Sequence, residues 1–194
     1  TKMHGAGNDY VLIDARYQEQ DWYALARQMC DRHYGVGSDG LLLVALSATA
    51  DIRMRMFNPD GSEAEMCGNG IRCFAKYVME RDIARTNGET LRVETQTGVL
   101  DIVPSVTNGG GVSGARVAMG EPQFHAEDIR VCVPAGHTGL HVNVGELYIS
   151  DDLDSDRLVI NYPIAIEVYN FNISAVSMGN PHAVAFINDP VDSV

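Results

Sequence analysis

Lysine is nearly missing from this chain. The 194 residues hold two, Lys2 and Lys76, and Lys+Arg together number 14 against 26 Asp+Glu, for a formal net charge of −12. A surface that neutralises phosphates needs clustered Lys and Arg, so no nucleic-acid partner is expected. Long apolar runs are missing too. Nothing approaches the ~18 consecutive apolar residues of a membrane span, so no membrane role is expected. The opening TKMHGAGNDY has neither the basic nor the apolar stretch of an export signal. Cysteine is scarce, at positions 30, 67, 73 and 132, too few to staple a disulfide scaffold. Reduced thiols and a cytoplasmic location are the expectation. Metal and nucleotide signatures are also lacking. The cysteines show no C-x₂-C pairing and the six histidines form no H-E-x-x-H. The glycine-rich segment Gly35–Gly40 follows a helix and precedes a strand, the reverse of a dinucleotide fingerprint, and no phosphate-loop lysine is present.

The charge is unevenly spread. Residues 1–120 carry 12 basic and 15 acidic residues, whereas residues 121–194 carry two basic residues, Arg130 and Arg157, and 11 acidic ones. The shift is compatible with two units meeting near Gly120-Glu121-Pro122, and equally with one solvated acidic face.

Periodicity places the elements. Residues 9–16 read as a strand. Residues 22–33 read as a helix, with Asp21 as N-cap, Trp22, Leu25, Ala26 and Met29 at helical spacing, and Gly35 past its end. The apolar run 40–46 is a buried strand. Residues 51–57 alternate, with Ile52, Met54 and Met56 on one face and Arg53 and Arg55 on the other. Residues 58–70 are too rich in Gly, Pro, Asn and Asp to form an element. Residues 70–81 predict a helix that is apolar over most of its girth (Ile71, Phe74, Ala75, Val78, Met79), hence one buried by its neighbours. Short strands follow at 90–95, 98–103, 114–119, 130–133, 139–150, 157–161, 164–170, 173–177 and 182–187. The absence of regular strand–helix alternation argues for an α+β fold, with mixed or antiparallel strands wrapped around one central buried helix.

Met66-Cys67-Gly68-Asn69-Gly70 stands directly before that helix. A helix N-terminus offers N–H groups without internal partners and the positive end of the macrodipole, and glycines let a ligand approach closely. Together these suit a carboxylate and favour a thiolate at Cys67. The alternative is a small apolar residue capping a buried helix. Cys73, inside the helix on its apolar side, reads as core. Near the other end, Asn180 precedes Pro181 and so takes extended backbone, and His182 either tunes a thiol or is a satisfied, partly buried histidine. Asn8, Asn58 and Asn180 all stand in turn contexts. Each alone is ordinary turn chemistry; with Cys67 they suggest neutral hydrogen-bonding groups around a small charged molecule.

These residues carry a resemblance. Lys2-Met3-His4-Gly5-Ala6-Gly7-Asn8-Asp9-Tyr10 resembles the opening of the diaminopimelate epimerase family. Phe57-Asn58-Pro59-Asp60-Gly61-Ser62-Glu63 followed by Met66-Cys67-Gly68-Asn69-Gly70-Ile71-Arg72-Cys73 is similar to that family's first catalytic-cysteine segment, and Ser177-Met178-Gly179-Asn180-Pro181-His182 resembles its third landmark. The resemblance implies a cofactor-independent epimerase that interconverts LL- and meso-2,6-diaminopimelate, serving lysine and peptidoglycan synthesis, homodimeric at full length. Family members use two cysteines on opposite faces of the α-carbon, because one base would tend to return the proton to the face it left. By position, Cys67 would be one base and His182 would support thiol ionisation. Gly68 and Asn69 would hold the α-carboxylate and amine end, and Asn8, Asn58 and Asn180 the polar ends of the substrate. Gly40 stands where some members carry a substrate-contacting glutamine.

One departure is large. The family's second Cys-Gly-(Thr/Ser)-Gly segment, after a Glu-Arg-Gly landmark, does not occur in residues 1–194, and Cys132, between Val131 and Val133, reads as an apolar strand residue. The resemblance thus implies an N-terminal epimerase domain over 1–119, carrying the first catalytic cysteine. Residues 120–194 would then be the first part of a similar, truncated C-terminal domain, and residues 1–194 alone would not epimerise. Two alternatives remain open: a proline or hydroxyproline racemase, in which histidine typically follows Cys-Gly where this chain has Asn69, and a non-catalytic module that binds a small molecule in one half-site.

Overall fold

The computed structural model describes residues 1–127, 129, 158–166, 169–178 and 181–187. The chain forms two compact units, Thr1–Met119 and Gly120–Val194.

The first unit is one mixed sheet with two helices. Its elements are β1 (Lys2–Gly5), β2 (Asn8–Asp14), α1 (Trp22–Cys30), β3 (Gly40–Ala45), β4 (Ile52–Phe57), β5 (Glu63–Ala64), α2 (Gly68–Glu80), β6 (Leu91–Thr95), β7 (Gly98–Val106) and β8 (Val112–Val117). The spatial order is β1-β2-β3-β4-β6-β7-β8, with β5 paired to β4. The β2–β3 and β4–β6 pairs are parallel and the others antiparallel. Helix α2 touches β1, β2 and β3 near one edge of this order and β7 and β8 at the other. A sheet whose two ends meet the same helix must curl around it. The α+β expectation, strands wrapped on a central buried helix, is met.

Strand parity explains why α2 is central. Side chains alternate across a sheet, so Tyr10 and Leu12, Leu42 and Val44, and Ile52, Met54 and Met56 face one way and pack on Ile71, Phe74, Ala75 and Val78 of α2. Their neighbours Val11, Leu41, Leu43 and Phe57 face the other way and pack on Trp22, Ala26 and Cys30 of α1. Strand β3 is therefore buried on both faces, which is why its run is apolar without alternation. Ile71 and Phe74 are fully buried, each contributing about 1.5–3 kcal/mol of transfer free energy. Charge zips α2 to β8: Lys76 Nζ donates to the Val112 carbonyl at 2.7 Å, and the Val112 N–H donates to Glu80 Oε1 at 3.0 Å.

Several boundaries depart from the sequence reading. Helix α1 stops at Cys30, not 33, because the Asp31 carboxylate accepts the His33 and Tyr34 N–H groups at 2.7 Å each and turns the chain. Asp21 is its N-cap, accepting from the Ala24 N–H at 3.0 Å. Helix α2 begins at Gly68 rather than 70, and the segment read as wholly irregular contains β5. Strand β1 was not expected at all. Strand β7 runs on to Val106 through Pro104, which is tolerated because β6 pairing ends at Leu91↔Ile102, so only β8 lies beside it.

The second unit holds a three-stranded antiparallel sheet, β9 (Tyr162–Ile166), β10 (Tyr169–Ser177) and β11 (Pro181–Ala185), in the order β11-β10-β9. Ile129, Val159 and Ala175 form its small core. The expected strand 164–170 is instead the end of β9 and the start of β10, which pair with each other. The strands expected at 130–133 and 139–150, with Cys132, lie outside the described residues.

Candidate active site

The N-terminus of α2 is the chemical focus of the first unit. Cys67 is its N-cap: the backbone is extended (φ −145°, ψ 114°), the carbonyl accepts from the Ile71 N–H at 2.9 Å, and Sγ accepts from the Gly70 N–H at 3.4 Å. Sulfur thus takes the place where Ser, Thr, Asp or Asn usually satisfies an orphan donor. That is why the helix starts two residues before its apolar periodicity does. The first-turn N–H groups of Gly68 and Asn69 have no partner inside the helix. A side chain at Gly68 would come within 3.3 Å of Met119 Cε, and one at Gly70 within 3.4 Å of Leu42, so both glycines also allow tight packing.

A second partner of the sulfur comes from β2. Tyr10 Oη lies 2.9 Å from Cys67 Sγ, and the tyrosine is 1% exposed. Burial first, and the hydrogen bond to Cys67 second, hold the phenol well above its ordinary pKa. It keeps its proton and can donate it to the sulfur. The sequence reading missed Tyr10. The signal that could have found it is parity: Asn8, Tyr10 and Leu12 share one face of β2, and Leu12 packs on α2.

The structure brings Asn8 and Asn69 together. Asn69 Nδ2 donates to Asn8 Oδ1 at 2.7 Å, and Arg72 donates to Asn69 Oδ1 and, at 3.3 Å, to the Gly68 carbonyl. On the far side Asn8 Nδ2 donates to Asp39 Oδ2 at 3.4 Å, and the Asp9 N–H donates to the same oxygen at 3.0 Å. Arg32 bridges Asp39 and Asp9 at 2.7 Å each, and Lys2 adds a contact to Asp9 at 3.0 Å. Asp9 is held far below the usual carboxylate range, chiefly by hydrogen bonds from Arg32 and then Lys2. The result is a chain, Arg32–Asp39–Asn8–Asn69–Arg72, whose charged ends fix which way each amide points.

Asn58 is engaged in its own turn: its Nδ2 donates to Ser62 Oγ at 3.0 Å and its backbone N–H to the Ser62 carbonyl at 2.8 Å. Gly40 is buried under the Tyr10 ring, and a Cβ there would sit 3.0 Å from the Phe57 carbonyl. His182 is exposed on β11, opposite Val176, in the second unit, and Asn180 lies outside the described residues. Cys73 is 5% exposed in the α2 core, and burial raises its thiol pKa, as it does for Cys30. Both thiols are held neutral, in keeping with a packing role. Among the described residues no cluster of His, Cys, Asp and Glu has the arrangement of a metal site, and no helix is long and apolar enough to cross a membrane.

A sequence model of the family described as diaminopimelate epimerase matches residues 1–125. The chain belongs to the diaminopimelate epimerase family. Among curated relatives, the diaminopimelate epimerase of Halothermothrix orenii is 43% identical over 193 residues, covering 97% of this chain and 60% of the relative. That of Moorella thermoacetica is 45% identical over 190 residues, with the same coverage. The chain therefore spans about 60% of the length of these relatives. Among solved structures, a hydroxyproline epimerase from Agrobacterium vitis matches with a TM-score of 0.61 at 14% identity, over 95% of this chain and 50% of the other. This shows a shared fold.

Proposed function

We propose that the full-length protein is a cofactor-independent epimerase that interconverts LL- and meso-2,6-diaminopimelate, with Cys67 as one of its two thiol bases. Residues 1–119 form the domain that carries Cys67, and residues 120–194 the first part of a second epimerase domain. The reading rests on family membership and on one observation: a cysteine at a helix N-cap, its sulfur held by the Gly70 N–H and faced by the Tyr10 hydroxyl. In this reaction the substrate Cα–H bond breaks and its proton passes to Cys67 Sγ. The electron pair left on Cα spreads into the α-carboxylate. A second thiol then protonates the opposite face. No electron sink is needed if fixed donors meet the developing charge on the carboxylate. The first-turn N–H groups of Gly68 and Asn69, aided by the helix dipole, are suited to that task.

Asn8 and Asn69 serve as oriented hydrogen-bonding groups for the zwitterionic head. Asn58 and Asn180 are assigned to the polar ends of the substrate, and His182 to support of thiol ionisation. The second cysteine lies in the family segment that residues 1–194 do not include. The protein works as a cytoplasmic homodimer of amino-acid metabolism. In deuterated water, the full-length protein is expected to wash deuterium into the α-position of diaminopimelate but not of proline. Exchange of proline in place of diaminopimelate would overturn the substrate; exchange of neither would overturn the enzyme.

A further inference from the structure

Cys67 must hold a negative charge on sulfur in one half of the proposed cycle and a proton in the other. A helix N-terminus supplies one donor, the Gly70 N–H, at 3.4 Å. The closer group is the Tyr10 hydroxyl, at 2.9 Å. The phenol is not placed there by chance packing. The Tyr10 backbone is fixed on both sides, by β1 through Met3 and by β3 through Gly40. The ring lies against Gly40, where an added Cβ would already be 3.4 Å from Tyr10 Cδ1 and 3.0 Å from the Phe57 carbonyl. The missing side chain at position 40 is thus part of the ring's seat. The ring is shut from water, so its hydroxyl has one short outlet, the sulfur.

From this geometry we propose that Tyr10 is a positioning residue of the reaction: its hydroxyl donates to Cys67 Sγ, aims the sulfur and favours its anionic form. The proposal rests on Cys67 being the base. No bond to Tyr10 forms or breaks; its proton stays on oxygen throughout.

Other charged or titratable groups near this pair come from three directions. Cys73 lies more than one turn further along α2 and is held neutral by burial. Asp39, just before β3, is ion-paired with Arg32. Arg72 is committed to Asn69 and Gly68, and Glu65 is exposed two residues before Cys67. Removing one oxygen at Tyr10 leaves all four in place.

The test is the pH profile of Cys67 reacting with a small disulfide, in the full-length protein and in Tyr10→Phe. Trypsin separates the readout cleanly, because Cys67 is the one cysteine of peptide 56–72 and Cys73 falls in 73–76. A hydrogen bond to a charged group corresponds to about a tenfold change in thiolate population. A thiolate freed of that bond is intrinsically about threefold more nucleophilic, from a Brønsted slope of about 0.4–0.5. Tyr10→Phe is therefore expected to react about three- to fourfold more slowly at neutral pH and about threefold faster at strongly alkaline pH, so that the two profiles cross. Superimposed profiles, or a uniform change at every pH as altered access alone would cause, would overturn the proposal. Unchanged Trp22 fluorescence and melting establish that the variant is folded. The assay reads sulfur chemistry and not turnover, so it decides the role of Tyr10 even if diaminopimelate proves not to be the substrate.

Discussion

Substituting Gly5→Ala tests how closely strand β1 must approach the helix that carries Cys67. An added Cβ at Gly5 would sit 2.9 Å from the Asn69 carbonyl oxygen and 3.3 Å from Cys73 Sγ. Ordinary contact between such atoms lies near 3.5 Å, so something must move by about half an ångström. The clashing oxygen belongs to backbone in the first turn of α2, and α2 is gripped by strands near both ends of the curled sheet. It cannot yield as a side-chain tip would. Overpacking of this kind costs about 1–3 kcal/mol. Urea unfolding reads it directly, because Trp22 is the chain's single tryptophan and is buried in the first unit. The expected result is a lower midpoint at unchanged slope, together with weaker α-proton exchange as Asn69 is displaced. Gly109→Ala is the control, since a Cβ there meets nothing within 4 Å, and its effect should stay within about 0.5 kcal/mol. If Gly5→Ala matches the control, the packing argument at the helix start is wrong.

Three further outcomes follow from the same structure. Cys73→Ser exchanges a buried thiol for a hydroxyl and should lose about 1–2 kcal/mol with exchange retained per folded molecule, as urea unfolding and turnover together would show. Asn69→Asp should still fold, because an acid is favoured in the first turn of a helix and Arg72 still donates to it, although the donor to Asn8 Oδ1 is lost and stability falls by about 1 kcal/mol. Exchange per folded molecule should fall at least about tenfold as the acid repels the substrate carboxylate, and equal activity would argue against Asn69 at the carboxylate. Asp9→Asn should flatten the acid limb of stability. The Asp9 pKa is depressed in the folded state by Arg32 and Lys2, so its contribution is present above the unfolded value of about 3.9 and is lost as pH falls through the folded value. Thermal melts from neutral pH down to about pH 2 check this, and an unchanged acid limb would refute it.

The parts of the fold that were legible are those written in periodicity. Leu41 to Val44 showed a strand buried on both faces, and Ile71, Phe74 and Val78 showed a helix buried by its neighbours. Asp21 marked a helix start through cap chemistry. Strand β1 was missed because four residues of an edge strand, Lys2 to Gly5, bury too little to leave a pattern. The start of α2 was misplaced because Gly68 and Gly70 look like loop residues, and only the sulfur at Cys67 makes them a first turn. Of the candidate residues, Cys67, Asn8 and Asn69 stand in motifs, and the structure gathers them at the start of α2. The Tyr10–Cys67 contact joins residues 57 positions apart; strand parity turns Tyr10 toward α2 but does not single out Cys67 as its partner. Asn58 shows the opposite limit: its turn with Ser62 is local chemistry that the Asn-Pro-Asp-Gly-Ser run already specifies, through Asn58 Nδ2 donating to Ser62 Oγ.

The most direct test of the central claim is deuterium incorporation at the α-carbon of diaminopimelate, catalysed by the full-length protein and by Cys67→Ser. Serine is a good N-cap, so the variant should keep its Trp22 fluorescence and unfolding midpoint while the helix start stays intact. With the acid–base sulfur gone, exchange should fall by about a thousandfold, within the range of a lost general acid–base group. Exchange at close to the parent rate by a folded Cys67→Ser protein would show that proton transfer runs through another residue, and that the N-cap cysteine is only a cap.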